Sequence, residues 1–159
     1  MTATSILGLA MLFAITGCGL MAGLFFVFSV SVMKALAQMS PHEGMKAMQL
    51  INRTILNRVF LSTFFGTALM CASAAAISAI QRQPGYLWAI AGAVLYLVGG
   101  FLVTALANVP LNNALDRIEA DAEDSREQWN RYLNQWTRWN HLRTVASTGA
   151  VLLLTLSLL

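Results

Sequence analysis

The residues best able to do chemistry lie in the last quarter of the chain. Trp129, Tyr132, Trp136, Asn140, Arg143 and Ser147 recur every three or four positions. Wound as a helix at about 100° per residue, they fall within an arc of about 80°. Trp139 and Thr144 flank that arc. One face therefore passes from an aromatic stripe, through an amide and a guanidinium, to a hydroxyl. No charge follows Arg143, so the lower part of this face belongs to an apolar helix. An unpaired polar group in hydrocarbon costs several kcal/mol, so the face is expected to look into a bundle and away from lipid. A guanidinium buried there needs amide, backbone or ligand oxygens as partners. Arg138 falls on the opposite side, at about 200°.

Other segments offer polar groups at the same depth. Thr104, Asn108 and Asn112 are spaced by four, although Pro110 is expected to break the helix between the last two. Gln49 and Asn52 share a helical face, with Arg53 beside them and Asn57 about one turn on. Together these residues are expected to line a cavity at the cytoplasmic membrane boundary. The two histidines, His42 and His141, are the groups that titrate near neutrality. His141 lies about 100° from Asn140 on the wheel, so it can line a pocket only between neighbouring helices. A plainer reading competes throughout. Trp and Tyr anchor helices at membrane interfaces, and Arg143 can snorkel to headgroups.

Positioning these groups falls to an unusually apolar chain. Of 159 residues, 57 % are hydrophobic and 11 % charged, against roughly 25 % charged in a soluble domain. No charge lies between Val59 and Gln81 or between Gln83 and Leu115. Such gaps exclude a soluble enzyme and a disordered tail, and their continuous apolar character excludes a transmembrane barrel. The net charge of +3 comes without a basic run, so no nucleic-acid partner is expected. The expected fold is all-α: an integral membrane four-helix bundle with helical cytoplasmic extensions, forming one transmembrane domain. Its spans are 6–33, 59–80, 86–107 and 142–159, with a tight turn at Pro84-Gly85.

Basic residues orient the bundle. Lys34, Lys46, Arg53 and Arg58 fall in the first connection, and Arg117, Arg126, Arg131, Arg138 and Arg143 in the third. Arg82 alone faces the other side. Nine against one places the long connections in the cytoplasm and both termini outside a plasma (inner) membrane. Ser40-Pro41-His42-Glu43 is a capping box that opens a helix. No proline follows before Pro84, so that helix is expected to run on into the second span. Ser125 opens another helix, which can reach the C-terminus. Ile15-Thr16-Gly17-Cys18 resembles a lipoprotein cleavage box, but no basic residue precedes it, and the segment reads as a retained helix. Small residues such as Gly19, Gly23 and Gly66 suit close helix packing, within the chain or in a homo-oligomer.

Familiar chemistries are missing. There is no HExxH, CxxC, phosphate loop or nucleophile elbow. No carboxylate lies inside a span, against a proton pump or cation carrier. Cys18 and Cys71 read as small buried residues. Two histidines are too few for a conventional zinc site, and no metal is expected.

Several strings carry a resemblance. Gly23-Leu24-Phe25-Phe26-Val27-Phe28-Ser29 with Val32-Met33, Ala47-Met48-Gln49-Leu50-Ile51-Asn52 with Asn57 and Phe64-Phe65-Gly66-Thr67-Ala68, Asn108-Val109-Pro110-Leu111-Asn112-Asn113, and Trp129, Tyr132 and Trp136 through Thr144 resemble four signatures of a bacterial and fungal membrane family whose named members are anthrone oxygenases. Lys34 and Arg58 depart from the pattern where the family often has Pro, which bears on local kinks. The resemblance implies oxidation of an activated methylene in a planar aromatic ketone by O₂, with no metal, flavin or other cofactor. On that reading Trp136 and Trp139 form a flat slot. Asn140 and Arg143, with Asn112 or Asn113, donate to the enolate oxygen, and His141 is the base. Asn108, Gln49 and Asn52 complete the substrate site. The partners implied are the lipid bilayer and a lipophilic small molecule. Two alternatives stay open: a module that binds a quinone, haem or lipid without turnover, and an accessory subunit of a membrane complex.

Overall fold

Ser40 begins the first well-defined cap. Its Oγ accepts the Glu43 backbone N–H at 3.3 Å and donates to Glu43 Oε2 at 2.6 Å, with Pro41 at the first helical position. The Ser40 hydroxyl holds the Glu43 carboxyl below the usual range. The computed structural model describes residues 3–119 and 125–159. Helix α1 covers 3–37 and passes through a π-helical turn at Phe28–Val32. Helix α2 is Pro41–Ile55 and α3 is Arg58–Ile80. Helix α4, Tyr86–Asp116, is π-helical over Leu95–Leu102 and Thr104–Asn108. Helix α5 is Ser125–Leu156, about 48 Å long at 1.5 Å per residue. No strand occurs among the described residues.

The four long helices close a ring. α1 packs on α3 and α5, and α4 packs on the same two from the other side. Helix α2 lies across the ends of α1, α4 and α5. Two cores result. One fills the ring, with Met11, Cys18, Phe64, Cys71, Tyr96 and Leu154. The other joins α2 to the extended end of α5, with Met45, Met48, Leu115, Trp129 and Tyr132. Cys18 and Cys71 meet in the first core as free thiols 3.5 Å apart. At Gly17 the α1 backbone lies against Thr67, and any Cβ would overlap the threonine side chain. Gly85 holds the expected turn with φ +77°, a conformation open to glycine at little cost.

The outside of the ring is apolar. Phe13, Leu69, Leu106 and Val145 are each at least 60 % exposed, as lipid-facing residues should be. Among the described residues three helices are long and apolar enough to cross a membrane: Ser5–Ala37, Arg58–Ile80 and Tyr86–Asp116. This is a membrane protein. The fourth expected span, 142–159, falls on helix α5, which does not meet the same measure of length and apolarity. Helix α5 completes the ring, but Asn140, His141, Arg143 and Thr144 interrupt its apolar run.

Two further expectations fail on local grounds. Helix α2 does not run on into α3, because Leu56 and Asn57 leave helical geometry. Asn57 seals both ends of the break: its Oδ1 accepts the Phe60 N–H at 3.0 Å and its Nδ2 donates to the Thr54 carbonyl at 3.1 Å. Nor does Pro110 break α4. The π-helical turn before it sends the Val109 N–H to the Thr104 carbonyl, and this wider turn absorbs a ring that would clash in a regular α-helix. Part of the acidic loop expected after Asp116 lies outside the described residues.

Candidate functional site

One uninterrupted helix fixes the phase of the polar face. Trp129, Tyr132, Trp136, Asn140, Arg143 and Ser147 are all buried on the same side of α5. Arg143 is held from three directions. Its NH2 donates to Asn140 Oδ1 at 2.6 Å and its NH1 to Thr104 Oγ1 at 3.1 Å. The Phe25 and Trp136 rings lie 4.2 and 5.1 Å from the guanidinium carbon, favourable cation–π distances. Its Nε has no partner, and no ion pair involving it occurs among the described residues.

Asn140 ties this group to α1. Its Nδ2 donates to the Phe25 carbonyl and to Ser29 Oγ, both at 2.7 Å. Both of its side-chain heteroatoms are thus engaged, and the Oδ1 is aimed at Arg143. Ser29 also meets Thr144 at 3.3 Å. Asn108 Nδ2 donates to the Trp136 carbonyl at 3.2 Å, while its Oδ1 is buried without a partner. Asn112 Oδ1 accepts from the Tyr132 hydroxyl at 2.9 Å and from Trp136 Nε1 at 2.8 Å. Asn52 Nδ2 reaches Tyr132 at 3.5 Å. Burial raises the Tyr132 phenol well above its ordinary value, so it stays a neutral donor.

Arg143 and its neighbours border a cavity of about 80 Å³ between α1, α2, α4 and α5, while Asn140, Ser29 and Tyr132 stand behind its wall and hold the lining side chains. Arg143, Asn108, Asn112, Asn52, Thr104 and Trp136 supply its polar wall. Leu24, Ile55, Leu56 and Phe60 form an apolar side. Leu56 is 62 % exposed, so that side meets the outer surface of the ring at the α2–α3 break. Among the described residues no carboxylate, imidazole or thiol lines the cavity.

The structure therefore brings Asn140, Arg143, Trp136, Asn108, Asn112 and Asn52 together. Four other expected site residues lie elsewhere. Trp139 is 43 % exposed on the outside of α5, because the helix turns it away from the buried arc. Asn113 is exposed on α4. Gln49 is a clamp: its Nε2 donates to the carbonyls of Leu115 and Ile118, at 2.9 and 3.1 Å. His141 is exposed in an outer groove beside Lys34 and Arg138 and is not among the residues that line this cavity. Phe25, Phe28 and Ser29 were not legible as site residues. The one signal was a serine inside the apolar run of α1.

A family model described as anthrone oxygenase matches residues 57–153. The chain belongs to the anthrone oxygenase family. No curated protein and no solved structure matches it. The stretch matching the anthrone oxygenase model contains Thr104, Asn108, Asn112, Trp136, Asn140 and Arg143. Phe25, Ser29 and Asn52 precede it, so α1 and α2 complete the wall outside the matched stretch.

Proposed function

We propose that this member of the anthrone oxygenase family is a membrane oxygenase that uses no cofactor and takes a lipophilic aromatic substrate of the anthrone type. One observation carries the reading. Arg143, with no ion pair among the described residues, leaves its Nε unpartnered, and Asn108 Oδ1 is unpartnered as well; both residues line the same cavity. Burying an isolated charge is costly, and a ligand oxygen with anionic character would offset that cost. An anthrone supplies one: loss of a methylene proton delocalises charge onto its carbonyl oxygen.

The chemistry then follows from electrostatics. Arg143 stabilises the enolate and so lowers the acidity barrier of the methylene. None of the described lining side chains is a base, so the proton leaves to water. The enolate carbon passes an electron to O₂, and the resulting radical pair combines to a peroxide. Loss of water gives the quinone carbonyl. Overall one CH₂ and one O₂ become one C=O and one H₂O. Trp136 and Phe28, whose rings stand 5.7 Å apart, supply apolar faces for the rings. A volume of 80 Å³ is below the roughly 300 Å³ of a small-molecule pocket. Only the oxygen-bearing edge enters, and the remaining rings sit against Leu56 and Phe60 at the mouth.

A lining without a base among the described residues favours one alternative, a module that binds a quinone without turnover. Incubating the purified protein with an anthrone under ¹⁸O₂ separates the two. Oxygenase activity predicts one O₂ consumed per quinone, faster than autoxidation, with ¹⁸O in the new carbonyl. Quinone formation no faster than in buffer overturns the oxygenase reading.

A further inference from the structure

Helix α5 carries a second polar stripe. Asn130, Asn134, Thr137, Arg138 and His141 fall between about 100° and 200° on its wheel, away from the Arg143 face. They form one wall of a groove of about 510 Å³ against the end of α1. Lys34 stands on the α1 side, one residue past the apolar run that ends at Met33. Val30, Met33 and Leu133 give the groove an apolar part. Lys34, Arg138 and His141 are all exposed; among the described residues none of them has a hydrogen bond or ion pair and no acidic residue lines the groove.

We propose that this groove binds one anionic phospholipid, with its phosphate between Lys34 and Arg138 and an acyl chain along Val30 and Met33. The charge is complementary: two fixed cations and an imidazole face the groove, and no described acidic residue pairs with them. The position is right as well. The groove begins where α1 turns from apolar to charged, the level at which headgroups lie, and basic pockets between helices at this level suit anionic headgroups. A nucleotide or acidic peptide would use the cations but leave the apolar part unfilled. An uncharged lipid would do the reverse. The site is separate from the Arg143 cavity and does not depend on the oxygenase reading. It also gives His141 a role as a third donor to the headgroup.

Native mass spectrometry of the full chain in detergent tests this, using phosphatidylglycerol and phosphatidylcholine of the same acyl chains. The wild type should bind the anionic lipid at least tenfold more tightly than the zwitterionic one. Lys34→Gln combined with Arg138→Gln should abolish that preference; both positions are exposed, so the fold should survive. Arg58→Gln, also exposed but outside the groove, should preserve it. Equal binding of the two lipids, or a preference that survives the double substitution, overturns the proposal. So does an equal loss in Arg58→Gln, which would spread the attraction over the whole boundary. Glycerol phosphate should not displace the lipid at equal concentration; if it does, the site takes free phosphate and the lipid assignment fails.

Discussion

Asn140 makes three side-chain hydrogen bonds: to the Phe25 carbonyl, to Ser29 and from Arg143. Asn140→Ala would leave all three buried partners short of one bond. With about 1–3 kcal/mol per orphaned buried group and partial relaxation, the variant should lose about 3 kcal/mol, read as a lower midpoint in thermal unfolding. Arg143 behaves differently. Replacing it by an apolar side chain of similar size removes the cost of burying a charge but leaves Asn140 Oδ1 without its donor, at about 1–3 kcal/mol. The two effects oppose each other, so Arg143→Met should lower the unfolding midpoint less than Asn140→Ala does. A large destabilisation would mean the guanidinium is structural. Both residues were legible in the sequence because α5 has no internal break, so a fixed angle per residue carries the phase from Trp129 to Ser147. The same wheel put Trp139 at the edge of the arc and His141 well off it. The family resemblance gave both a role in the cavity, and the helix turns both outward.

At the scale of elements, the legible features were those with a dedicated residue type. The Ser40-Pro41-Glu43 cap, the Pro84-Gly85 turn and the unbroken C-terminal helix each have one. The break at Leu56-Asn57 does not, since it depends on an asparagine side chain capping in both directions and not on a proline. The survival of α4 through Pro110 was equally hidden, because a π-helical turn is a property of backbone bonding with no sequence mark. Close packing can be tested directly. Gly17 and Gly19 lie two residues apart in α1, and a Cβ at Gly17 would overlap Thr67 while one at Gly19 meets nothing within 4 Å. Gly17→Ala should cost about 1–3 kcal/mol through overpacking. Gly19→Ala should be neutral or gain up to about 1 kcal/mol from helix propensity. Equal unfolding midpoints for the two would mean that α1 and α3 are less closely packed at Gly17 than described.

For the whole molecule, the distribution of basic residues predicts orientation. A cysteine replacing Gln83 should react with an impermeant thiol reagent added to intact cells, whereas one replacing Ser125 should be protected. The native thiols add little background, because Cys18 and Cys71 are fully buried. The reverse pattern would invert the bundle and place the Arg143 cavity near the outer boundary. Within either orientation, Arg143 is expected to hold the oxygen of an ionisable aromatic ligand. A hydroxyanthraquinone reports this by colour, since its phenolate absorbs at longer wavelength than its phenol. Titrated into purified protein, it should bind one per chain to the wild type and to Arg138→Gln, with red-shifted absorbance from a stabilised phenolate. Arg143→Met should bind it at least tenfold more weakly and without the shift; equal affinity and an equal shift in Arg143→Met would contradict the account.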